Sequence, residues 1–185
     1  MYQSSKTQAV MNDMRYSLKQ VEKARPIIRD LLGGGEIKAV EGRDDEICLM
    51  LDQNCGTDYF QKYKNGVVFG IGSRFQSIAP GQPLYNTFTI RKARESGAPT
   101  EYEKRKLAIE KNGIYPYWTM HGYYSSVTGD ILSLAIARTE DIWQDIADGY
   151  TETNHTGIGK IGQAEFYVVR WNEFKNRHLI RIYQK

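Results

Sequence analysis

The stretch CGTDYFQKYKNGVVFGIGSRFQ, Cys55 to Gln76, sets a Gly-x-Asp ahead of one strand-like run and closes a second in Arg74-Phe75-Gln76. Asn65-Gly66 between the runs is a tight-turn signal, since those residues tolerate the positive φ of a short hairpin turn. The stretch predicts an antiparallel hairpin with an acid, Asp58, at one end and a cation plus an amide at the other. Strand alternation puts Arg74 and Gln76 on one face.

Upstream of this unit, Val10, Met14, Leu18 and Val21 recur at helical spacing, with Ile28 and Leu31 completing the stripe. That spacing predicts a helix over 7–32, kinked or divided at Pro26 and ended by Gly33-Gly34-Gly35. Ile37 to Glu41 reads as a short strand. EICLMLDQ, from Glu46, reads as a buried strand, so that Asp58 falls in a loop between two apolar strands.

Downstream, YNTFTIRK reads as a strand. TEYEKRKLAIEKNG reads as a helix capped by Thr100, with Glu103 three residues on and Gly113 as stop. YPYWTMHGYYSS and DILSLAIA give two further strands. RTEDIWQDIADG gives a helix capped by Thr139. AEFYVVRW and HLIRIYQK read as an antiparallel pair joined through NEFKNR, and the polar, glycine-rich segment 151–162 as a mobile loop. Helices mixed with sequential strands predict the α+β class: a single domain over 1–185, its central mixed β-sheet flanked by the N-terminal helix and two shorter helices.

Composition narrows the function. Hydrophobic residues make up 41% and charged residues 25% of 185, a globular balance. The net charge of +3 is mild, so any surface for nucleic acid is local. Cys48 and Cys55 are too few for a disulfide framework. No signal peptide and no run of membrane-spanning length are evident. These features predict an intracellular, cytoplasmic protein without a membrane partner.

Several motifs are excluded by context. Gly157-x-Gly159-x-x-Gly162 matches a dinucleotide fingerprint by letter, but lacks the strand before and helix after that would bring a helix N-terminus to pyrophosphate. Gly159-Lys160 is followed by Ile161 rather than a hydroxyl residue, which excludes a P-loop. His121, His155 and His178 are scattered without zinc spacing. His121 alternates with aromatics in a strand and reads as a hydrogen-bonded structural histidine.

The carboxylates remain. Glu22 lies on the first helix, Asp58 follows Gly56, and Arg74 ends the hairpin. This order resembles the PD-(D/E)XK nuclease superfamily over roughly residues 20–76: a helix with an acid, a strand leading to Gly-x-Asp, then a strand ending in acid-x-Lys. The resemblance implies Asp58 as a ligand of Mg²⁺ or Mn²⁺, Glu22 as the helix acid, and Arg74 in the cationic position. Gln76 would add a neutral contact to metal or phosphate. Gly72 stands where the family has an acid, and Glu101 is the nearest candidate to replace it. Arginine stays charged, so Arg74 can clamp phosphate but not act as a base.

A basic cluster supports the same direction. From Phe88 to Lys111 there are seven Lys/Arg against four acids. Arg91, Lys92 and Arg94 end a strand where it meets a Gly/Pro loop, a good place for phosphates. Along the following helix, pairs such as Glu101 and Arg105 at i,i+4 read as a solvated face. The leading expectation is a nuclease-like protein of phage or mobile-element type. It would bind nucleic acid, or hydrolyse it with a divalent metal, its catalytic set depleted by Gly72. The alternative is a non-enzymatic module that binds a protein partner or its own copy through a tyrosine-rich surface at IYPYWTMHGYY.

Overall fold

The computed structural model describes residues 20, 22–40, 46–51, 55–94, 97, 99–149, 151–156, 164–175 and 180–185. Two sheets carry the fold. Helix α1 (22–31) is followed by β1 (Glu36–Ala39), α2 (Glu46–Met50), β2 (Tyr59–Lys62) and β3 (Val68–Ile78). Next come β4 (Thr87–Arg94), α3 (Glu101–Glu110), β5 (Trp118–Ser125), β6 (Ile131–Arg138) and α4 (Thr139–Ala147). The chain closes with β7 (Glu152–Thr156), β8 (Ala164–Arg170) and β9 (Arg181–Gln184). The central sheet has the order β1-β2-β3-β5-β6-β9, and a smaller sheet has β4-β8-β7.

The central sheet is mixed because of one excursion. Strands β1, β2 and β3 form an antiparallel meander. The chain then leaves through β4 in the second sheet and α3, and returns as β5 parallel to β3. Gly72 thereby sits opposite Thr119, and Arg74 opposite His121. The β2–β3 hairpin closes at Asn65-Gly66, where the Tyr63 and Val67 backbones bond at 2.9 Å and Gly66 takes φ +86.

Both faces of the central sheet are covered. On one, Ala24, Ile28 and Leu32 of the α1 region pack on Tyr59, Ile71, Trp118, Met120, Leu134 and Ile136. On the other, Ile78, Tyr123, Ala135 and Ala137 meet Phe88 and Ile90 of β4, Val169 of β8, and Ile142, Trp143 and Ile146 of α4. Burial on both faces explains the aromatic stretch before and through β5. Trp118 and Tyr123 fill the two cores, and Tyr117 lies against Phe69 with centroids 4.6 Å apart. Of the four tyrosines in that stretch, Tyr123 is buried, and Tyr115, Tyr117 and Tyr124 are half-buried.

Local readings were corrected where tertiary contacts decided. EICLM is a helix, with Ile47 68% exposed, rather than a buried strand. A short apolar run has no period to separate the two. Helix α1 runs undivided through Pro26 over 22–31; residues 7–19 lie outside the described residues. It ends as expected, with the Gly34 N–H donating to the Arg29 carbonyl at 2.7 Å. Helix α3 has the expected box: Glu103 N–H donates to Thr100 Oγ1, and Thr100 N–H to Glu103 Oε2 at 2.8 Å. Thr139 does not cap α4; its hydroxyl donates to the buried Pro116 carbonyl at 2.5 Å.

The C-terminal strands also pair differently from the expected hairpin. Strand β8 lies between β4 and β7, while β9 extends the central sheet beside β6. Phe166 and Val169 on β8 are buried, which draws that strand into the second layer. The front of the expected 151–162 loop is strand β7, and 157–162 lies outside the described residues. Among the described residues no helix is long and apolar enough to cross a membrane.

Candidate functional site: a cationic cleft between the sheets

The hairpin brings Asp58 to the cation that follows it. Asp58 precedes β2, its N–H donates to the Ile71 carbonyl at 2.9 Å, and its carboxylate accepts the Ser73 N–H. The acid is thus docked on β3 one residue before Arg74. Both line an open cleft of about 250 Å³ shared with Cys55, Gly56, Ser73, Arg91, Pro99, Glu101, Lys104 and Arg105.

Three separate elements deliver these groups. Strand β3 supplies Ser73 and Arg74, β4 supplies Arg91, and the first turns of α3 supply Glu101, Lys104 and Arg105. The Thr100 hydroxyl donates to the Lys92 carbonyl at 3.1 Å, which ties the start of α3 to β4. Glu101, Lys104 and Arg105 then share a face by their i, i+3, i+4 spacing.

Arg105 forms the floor. It is 4% exposed, and its guanidinium pairs with Glu101 at 2.7 Å. It also donates to Thr119 Oγ1 and to the Gly56 carbonyl, both at 3.1 Å, and lies 5.4 Å from the Trp143 ring centroid. The expected Glu101–Arg105 pair is present, but the solvated face is not. Arg105 takes the stripe position between Tyr102 and Ile109, which both pack on the second core. That i, i+3, i+7 pattern, with arginine in an apolar stripe, was the available sign of a buried cation.

Gly72 is explained by the same contact. A Cβ built there would meet Arg105 Nη2 at 2.2 Å and the Gly56 carbonyl oxygen at 2.8 Å. The position where the resembled family carries its second acid is therefore covered by a guanidinium.

Arg74 and Arg91 form the upper wall. Their guanidinium carbons lie 4.7 and 5.6 Å from the centroid of one buried ring, Phe166. Neither has a carboxylate within 4.0 Å among the described residues, in contrast to Arg105. Burial pulls the Arg74 pKa below the ordinary arginine value; the Glu101 charge opposes this and the Arg91 charge adds to it. Arg74 nonetheless stays protonated at ordinary pH. In the cleft lining, burial pushes the Cys55 thiol pKa upward.

Other expected site residues lie elsewhere. Glu22 pairs with Arg25 at 2.7 Å on the exposed side of α1 and does not line the cleft. Gln76 is exposed, two residues beyond Arg74, and is also outside the lining. Lys92 is held by Glu165 at 2.6 Å. The Arg94 side chain lies outside the described residues. Cys55, Ser73, Pro99, Lys104 and Arg105 line the cleft although sequence reasoning did not place them in a site.

The described donors do not by themselves fit Mg²⁺ or Mn²⁺. Such ions take several oxygen ligands. Here Asp58 is bonded to Ser73, Glu101 is paired with Arg105, and four cations surround them. Among the described residues no three His, Cys, Asp or Glu side chains converge to hold a metal. Among the described lining residues, four cationic side chains stand beside two carboxylates. Comparisons with family models, with curated proteins and with solved structures gave no match for this chain.

Proposed function

We propose that the protein binds nucleic acid by its phosphates at this cleft, as a nuclease-like chain in which phosphate capture outweighs metal chemistry. One observation carries the reading: Arg74 and Arg91, on strands of different sheets, converge over Phe166 with no carboxylate within 4.0 Å among the described residues. A partly buried guanidinium without an acid is costly unless a ligand supplies the counter-charge. Its planar fork suits phosphate oxygens. Lys104 adds a third cation to the same opening. The order of Gly-x-Asp, hairpin and cation supports a nuclease-like ancestry, and hydrolysis would need metal ligands beyond Asp58 and Glu101.

The test is a titration of labelled single-stranded DNA, duplex DNA and RNA at low salt. Binding should show little sequence preference. With about three phosphate contacts, log K should fall against log salt with a slope of roughly −2 to −3. Arg74→Ala and Arg91→Ala should each weaken binding on all sequences and each reduce the slope by about 0.7–0.9. Absence of binding to all three polymers at low salt overturns the reading.

A further inference from the structure

We infer that a single water is bound in the interior behind the cleft, held by the His121 Nε2–H, and, resting on the phosphate reading, that His121 acts through it as a positioning residue for Arg74. The proton on the ring is placed by its neighbours. His121 Nδ1 accepts the Thr89 N–H at 3.1 Å. A backbone amide can only donate, so the neutral ring carries its proton on Nε2. Burial, aided by the Arg74 charge, keeps the ring neutral at ordinary pH. The Nε2 atom is buried and has no hydrogen-bond partner among the described residues. A buried donor without an acceptor is costly, and in a polar space of sufficient size an ordered water meets that need.

Both the space and the partners are present. His121 lines a cavity of about 10 Å³ together with Arg74, Glu101, Thr119, Phe88 and Ile90. That volume holds one water and no second. Arg74 and Glu101 line the larger cleft as well, so the two spaces share these side chains. Strand register sets Arg74 directly beside His121. The Arg74 charge acts on His121, and the Glu101 charge acts on Arg74. Glu101 nonetheless makes its ion pair with Arg105, and among the described residues no carboxylate lies within 4.0 Å of Arg74. A polar gap of this kind is one that water bridges. Bound there, the water accepts from His121 Nε2–H and from one Arg74 N–H, and donates to the Glu101 carboxylate. Three partners are usual for a buried water. The guanidinium has further N–H donors, which stay available for phosphate.

The experiment is nuclear magnetic resonance on the full chain, isotopically labelled at the histidine ring nitrogens, followed by binding titrations of variants. The ring shifts should show a neutral His121 protonated at Nε2. Its Hε2 proton should give rotating-frame cross-relaxation to water with the sign of a bound molecule rather than of proton exchange. A ring protonated at Nδ1, or an exchange signal alone, overturns the inference and leaves phosphate binding intact. His121→Asn keeps an acceptor for the Thr89 N–H and loses the inward donor. It should weaken nucleic-acid binding by roughly threefold or more, keep that effect in an Arg91→Ala background, and lose it in an Arg74→Ala background. Equal losses in both backgrounds mark a general loosening of the fold and overturn the positioning role. If the native chain binds no nucleic acid, the phosphate reading and the positioning role fail together, and the cross-relaxation signal alone decides the water site.

Discussion

Gly72 lies directly beneath the Arg105 guanidinium, so near that a Cβ on it would stand 2.2 Å from Nη2. The buried arginine thus depends on a glycine on the opposite element. Gly72→Ala should destabilise the fold by about 1–3 kcal/mol, the usual cost of overpacking. Gly72→Glu should cost at least as much rather than build a metal ligand. Denaturant unfolding with a double-mutant cycle checks this: the Gly72→Ala penalty should fall in an Arg105→Ala background, the share owed to the Gly56 carbonyl oxygen, 2.8 Å from the same Cβ, remaining. An unchanged penalty would mean that the arginine is not what excludes the side chain.

Thr100 joins two jobs, capping α3 and bonding the Lys92 carbonyl of β4. Thr100→Ala should lower stability by about 1 kcal/mol and Tm by about 2–4 °C for a domain of this size. It should also weaken nucleic-acid binding, because α3 brings Lys104 and Arg105 to the cleft. Thr100→Ser should preserve both stability and binding. A stability loss with unaltered binding would separate the cap from the site.

His121 is 1% exposed and accepts the Thr89 N–H at Nδ1, 3.1 Å away. Burial, aided by the charge of Arg74, pulls its pKa from 6.5 down to about 3. Between those values the unfolded chain binds a proton that the folded chain does not. Stability must therefore rise with pH across that window, on the order of 1.4 kcal/mol per unit from this group, and be fully present above it. Unfolding measured from pH 4.5 to 7.5 should show this slope in the native chain and lose that share of it in His121→Gln. Identical pH profiles for the two would refute a buried neutral histidine.

Asp58 distinguishes phosphate capture from metal chemistry. Asp58→Asn keeps an acceptor for the Ser73 N–H but removes a negative charge from the cleft. Nucleic-acid affinity should rise severalfold, and chelation of divalent metal should leave it unchanged. The opposite result, Mg²⁺- or Mn²⁺-dependent binding or cleavage that Asp58→Asn abolishes, would return Asp58 to the metal-ligand role.

The local elements near the site follow from short-range chemistry. Asn65-Gly66 closes the hairpin that brings Asp58 to β3, and Thr100 with Glu103 starts α3 at the expected residue. These signals work because turns and caps satisfy backbone groups within a few residues. The EICLM segment carries no such signal, and it is a helix with Ile47 and Met50 exposed.

Arg105 shows what only the tertiary structure decided. Its spacing to Glu101 determined that an ion pair was available, but not whether water or protein would surround it. Burial came from β3 and β5, which place Gly72 and Thr119 opposite each other beneath α3. Likewise Arg74 and Arg91 are ordinary strand cations until the chain's excursion through β4 sets them over the same Phe166 ring. The sequence determined which charges exist and which strands carry them. Packing of α3 and the second sheet against the central one decided which charges were neutralised and which were left facing the cleft, because charge pairing depends on distance and solvent access rather than on separation along the chain.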